Sequence, residues 1–169
     1  MAGDDNKLRT KILKEINEDF HQGDKLNFAL DSSDLLTELV NCFEEKDEVI
    51  RELAARTIIK VCGTESGRMI IVEDEIVPKI RGLFDDEVVE IRANGYKAMK
   101  NLAEFSYGID NTITFNIITV LIDKLMQEKS EVILILILEL MLILLEGGEA
   151  SQVTQGSEIL QHLNHHLVS

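Results

Sequence analysis

Few residues in this chain could start chemistry. His162-Leu-Asn-His165-His166 puts imidazoles at i, i+3 and i+4, spacings that share one face of a helix. Zinc generally takes four N, S or O ligands, or three with a water at a catalytic site, and no cysteine lies nearby. Surface histidines are the better reading. Gly63-Thr-Glu-Ser-Gly67-Arg68 bears glycines. It lacks the Gly-Lys-Ser/Thr ending with which a phosphate loop holds phosphates and magnesium, and it reads as a helix-ending turn. The carboxylate pairs Asp85-Asp86 and Glu44-Glu45 lie in acidic turns, expected to be solvated, with no apolar pocket to raise one pKa for acid catalysis. Cys42 and Cys62 sit among apolar neighbours at helical spacing and read as buried thiols of a reducing compartment. No Ser/His/Asp or Cys/His arrangement can be placed. The expectation is a non-enzymatic chain with no cofactor, no metal and no small-molecule substrate.

Function then has to lie in surfaces. A formal charge of −14 works against nucleic-acid and acidic-membrane binding, which need a basic surface, and favours partners that present basic patches. At 169 residues the chain is expected to be one domain with a sizeable core. Its 45% hydrophobic content favours folding over disorder. A single proline, no tryptophan and few aromatics suit an all-α chain better than a β-sandwich. The start, Met1 to Lys7, lacks a basic region followed by an apolar one, so no signal peptide is expected and the chain reads as intracellular.

The elements that position these surfaces are organised around one run, Glu131 to Leu145, where Glu139 is the only polar side chain from Val132 onward. A membrane helix needs roughly 18 or more apolar residues, and a buried strand holds about 4–8. A helix with protein on nearly every side remains.

The chain before this run repeats itself. Leu35-Leu36-x-x-Leu39-x-x-Cys42-Phe43 matches Ile76-Val77-x-x-Ile80-x-x-Leu83-Phe84 at an offset of 41. An acidic turn follows each, and then Val49-Ile50-Arg51 matches Glu90-Ile91-Arg92. A third copy runs from Ile117-Ile118-x-x-Leu121-x-x-x-Leu125 to Val132-Ile133-Leu134, one residue longer. Each copy reads as a helix, an acidic turn and a longer helix, with Gly67 and Gly108 expected as left-handed C-caps of the first two long helices. A helical period of 41–42 residues is the armadillo/HEAT signature. The expected fold is an all-α, right-handed α-solenoid of about three repeats with an N-terminal capping helix. Its expected divisions are a disordered tail at 1–6, a cap at 7–32 and repeats at 33–73, 74–114 and 115–156. A partial repeat at 157–169 opens at Ser157-Glu-Ile-Leu-Gln-His-Leu163.

Aligning the long helices predicts a core of Ala54, Thr57, Ile58 and Val61, then Gly95, Ala98, Met99 and Leu102, then Ile137, Leu140, Met141 and Leu144. Small residues at Ala54 and Gly95 are expected to let adjacent layers approach. The groove face is expected at Leu53, Arg56 and Lys60, then Asn94, Lys97 and Asn101, then Leu136, Glu139 and Ile143. This is the candidate partner-binding site, with its cations suited to an acidic segment of a partner protein. Leu136 and Ile143 are expected to be covered by a partner or by the helix that starts near Ser157.

Ile91-Arg-Ala-Asn-Gly-Tyr-Lys-Ala-Met-Lys-Asn-Leu-Ala103 resembles the third helix of an armadillo repeat, which typically ends in Asn-Leu. Over residues 35–165, Ser66-Gly67-Arg68, Leu83-Phe84-Asp85-Asp86, Arg92-x-Asn94-x-Tyr96-Lys97-Ala98, Gly108 and Lys124-Leu125 are similar to the N-terminal half of the armadillo-type radial spoke head proteins of motile cilia. The resemblance implies a protein–protein scaffold among radial spoke subunits of the ciliary or flagellar axoneme. A soluble adaptor in signalling or protein turnover, or a regulatory subunit clamping a catalytic partner, fits the same fold. The tryptophan and asparagine ladder of nuclear import receptors is lacking, since Lys60 and Ile143 stand at the positions equivalent to Asn101.

Overall fold

Helix starts and stops along this chain follow from short-range capping. A computed structural model describes residues 2–19, 33–104 and 111–146. Among these residues the fold is all-α, with no strand. Helix α1 (Ala2–Asp19) precedes α2 (Ser33–Asn41), which tightens into a 3-10 turn at Cys42–Glu44. Next come α3 (Glu48–Cys62), α4 (Glu65–Glu73) and α5 (Val77–Gly82), the last running into a second 3-10 turn at Leu83–Asp85. The chain continues through α6 (Val89–Ala103), α7 (Asn111–Gln127) and α8 (Glu131–Glu146).

The Asp47 side chain accepts the Val49 N–H at 2.9 Å and starts α3. Thr64 accepts the Gly67 N–H at 3.1 Å and starts α4. Each satisfies one of the donors that a helix N-terminus leaves open. Pro78 sits in the first turn of α5, where its missing N–H removes no helical bond. Helix α1 begins at Ala2, so helix takes in most of the stretch expected as a tail. Arg9 reaches back one turn to Asp5 at 3.6 Å, the i, i+4 pairing that supports exposed helices.

The longer helices form a contiguous series: α1 packs on α3, α3 on α6 and α6 on α8. All twelve aligned core positions, from Ala54 to Leu144, are buried. All but Thr57 and Gly95 join Leu36, Phe43, Ile80, Phe84 and Leu121 in one apolar cluster. Among the described residues no helix is long and apolar enough to cross a membrane.

The expectations at Gly67 and Gly95 need correcting. Gly67 is not a C-cap of α3, which ends at Cys62 with Gly63 at φ −75°. It lies inside α4, and a Cβ built there would stand 2.1 Å from the Val61 carbonyl oxygen. The reason is that α4 begins three residues after α3 ends and folds back onto its last turn. Gly95 is small for a local reason too: its Cβ would stand 2.8 Å from Leu83 Cβ, in the 3-10 turn just before α6. The left-handed cap in this region falls on Glu75 (φ 54°), where Ile76 N–H reaches back to Ile71 O at 2.9 Å, a bonding pattern that glycine usually serves. Gly108, the 157–169 start and the histidines 162, 165 and 166 lie outside the described residues.

Candidate functional site

Arginine at a fixed place after the first two acidic turns builds the most regular feature of the molecule. The Arg51 guanidinium donates from Nε to Asp86 Oδ2 at 2.8 Å and from Nη2 to Asp86 Oδ1 at 3.3 Å. Its Nη1 donates to the Glu45 and Lys46 carbonyls at 2.9 and 3.2 Å. Arg92 does the same one step along: Nε and Nη2 to the Glu128 carboxylate at 3.0 and 3.1 Å, Nη1 to the Asp86 and Glu87 carbonyls at 2.9 and 3.1 Å. Each arginine thus ties off its own turn and grips the acid of the next. Arg9 of α1 begins the series by pairing with Glu45 at 2.5 Å. The three arginines are 42 and 41 residues apart and the three acids 41 and 42. At the next position stands Leu134.

Asp85 and Glu44 are exposed, as expected of turn acids, but the rungs correct that expectation at Asp86. Asp86 and Glu128 side chains are about nine-tenths buried, because a planar guanidinium satisfies both carboxylate oxygens at once. Burial alone would raise the Glu128 carboxyl. The Arg92 pairing and the Ser130 and Lys129 N–H groups, each at 3.0 Å, outweigh burial and hold the carboxyl below the usual carboxylate range. The signal was present in the sequence as a recurring arginine, matched as part of a helix start but not assigned a partner.

Of the three rows expected along the groove, one is open. Arg56, Lys97 and Glu139, one from each of α3, α6 and α8, are exposed. Arg56 pairs with Glu52 on its own helix, and Glu139 pairs with Lys100 across helices at 3.0 Å. Lys97 has no ion pair among the described residues.

The other two rows are corrected. Leu53 and Asn94 are buried, and Leu136 is half-buried against the core. Lys60 donates to the Asn17 carbonyl of α1, and Asn101 donates to the Ile59 carbonyl of α3 at 3.1 Å. Ile143 is half-buried. Lys60 and Asn101 turn back toward the preceding long helix, lying about 40° round the helix from Arg56 and Lys97. Asn17 adds to this seam, donating to Leu53 O at 3.1 Å and Thr57 Oγ1 at 2.8 Å.

The apolar surface also lies elsewhere than expected. On α8 the exposed side chains are Val132, Ile135, Leu138, Leu142 and Leu145, not Leu136 and Ile143. A second apolar feature is a cleft of about 420 Å³ between α1 and α2, lined by Leu8, Ile12, Leu35 and Leu39, with Arg9 at its edge.

No family model matches the chain, and no curated protein matches it. What the geometry offers is ion pairing and apolar docking. Among the described residues no three His, Cys, Asp or Glu side chains could hold a metal ion. Cys42 and Cys62 are buried, and burial pushes both thiols up, away from the nucleophilic thiolate.

Proposed function

We propose that the chain is an armadillo/HEAT-type right-handed α-solenoid and works as a non-enzymatic scaffold between proteins. One observation carries this reading: the Arg51 rung recurs 41 residues later at Arg92 with the same donors on the same acceptors. A unit that repeats its contacts to its neighbour is the physical content of a solenoid, whose stability is a sum of unit and interface terms. The series α1, α3, α6, α8 supplies the stacked long helices, and the three-helix unit α4, α5, α6 suits the armadillo pattern. The axonemal radial spoke is the proposed setting. It rests on the resemblance carried by Ser66-Gly67-Arg68, Leu83-Phe84-Asp85-Asp86 and the Arg92 to Ala98 motif.

In this reading the open row Arg56, Lys97, Glu139 is where a partner segment crosses the long helices, an acidic stretch meeting the two cations and a basic one Glu139. The test is retention on detergent-extracted axonemes, comparing the natural chain with Arg56→Glu/Lys97→Glu. Retention of the natural chain and its loss in the double variant are expected. A natural chain that washes out with the soluble fraction removes the spoke assignment, and unchanged retention of the variant removes the groove.

A further inference from the structure

The two ends of the helix series differ in character. At one end α1 turns Lys11, Glu15 and Glu18 to solvent, the polar outer face that ends a stack. At the other end α8 presents Leu134, Leu138, Leu142 and Leu145 along one face. Leu138 is 54% exposed, whereas its counterparts Leu13, Ala55 and Tyr96, spaced by 41–42 residues, are 5%, 0% and 1% exposed. Leu145 is 40% exposed, whereas its counterparts Cys62 and Ala103 are buried and half-buried. The Leu138 position, which every earlier long helix buries, is bare on α8.

We propose that residues 157–169 lie along this face of α8 as the first helix of a fourth layer, as α2 lies beside α1 across a shared apolar cleft. The inference rests on the layered reading for its register. Ile117-Ile118-x-x-Leu121-x-x-x-Leu125 recurs 42 residues later as Ile159-Leu160-x-x-Leu163-x-x-x-Leu167. In that register Ile159, Leu160 and Leu163 are the counterparts of Leu35, Leu36 and Leu39 of α2, which line one cleft together with Leu13 of α1. Leu138 is the counterpart of Leu13, so the same apolar set faces the same apolar position. The charges change in step. Arg9 lies 3.8 Å from Glu38 where α1 meets α2, and their counterparts are Leu134 and His162. An aliphatic seat replaces an ionic one. Residues 147–156 can span roughly 33 Å, more than the roughly 24 Å length of α8, so the connection reaches either end of the helix.

Cross-linking tests this on the full chain, in a Cys42→Ala/Cys62→Ala background, with a short bis-maleimide. The test pair is Leu134→Cys/His162→Cys, and the control pair is Arg9→Cys/Glu38→Cys at the equivalent positions of α1 and α2. Both are expected to gain one linker within a single chain, read as monomer mass with loss of both free thiols. A linked control with an unlinked test pair overturns the proposal and leaves the layered reading standing. A test pair that links two chains overturns it in favour of a second copy on α8. An unlinked control overturns the layered reading, and the proposal with it.

Discussion

Glu128 shows how a single residue couples charge to folding here. Its carboxyl is held low in the folded chain by Arg92 and by two backbone N–H groups, against the opposing pull of burial. A folded pKa below the unfolded value of about 4.3 contributes stability that is present above that value and is lost as pH falls through the folded one. Urea midpoints measured from pH 7 to pH 3 should therefore drop below about pH 4.3. In Glu128→Gln the acid-side drop should be smaller and the stability at pH 7 lower by about 1.5–3 kcal/mol, the range for a hydrogen bond to a charged group. An acid limb unchanged by the substitution would show that the Arg92 rung does not hold this carboxylate. Tyr96 behaves differently: its ring stacks on Phe84 with centroids 3.9 Å apart, while its hydroxyl is buried with no partner among the described residues.

At the scale of the element, close approach rather than helix propensity decides what is tolerated. Gly67 is the clearest case, since α4 presses its backbone on the Val61 carbonyl of α3. Gly67→Ala should lower stability by about 1–3 kcal/mol, the range for overpacking a filled site, measured by urea unfolding. A neutral result would mean that α4 can lift off α3 without cost. How much was legible before the structure divides along the same line. Apolar periodicity located the buried stripe of each long helix, because burial there follows from spacing alone. It set two further rows beside the open one, because Lys60 and Asn101 are polar residues that serve the neighbouring helix and look like surface in a sequence. Gly67 was misread for a related reason: a glycine near a helix end suggests a left-handed cap, and only the packing of α4 reveals a steric demand. Asp86 looked solvated because a carboxylate in a turn usually is, and its guanidinium partner lies 35 residues away.

For the whole molecule, the long helices pack in series and the rungs link each turn to the next; in the proposed scaffold that series is the surface that holds partners. In a chain of net charge −14, Arg9, Arg51 and Arg92 are each paired with a carboxylate of a turn. The most direct test is a double-mutant cycle on Arg51→Met and Asp86→Asn, read from urea unfolding of all four chains. The pair is buried and doubly hydrogen-bonded, so a coupling of about 1.5–3 kcal/mol is predicted. Additive losses, with coupling within about 0.5 kcal/mol, would contradict the claim that the rungs join one turn to the next.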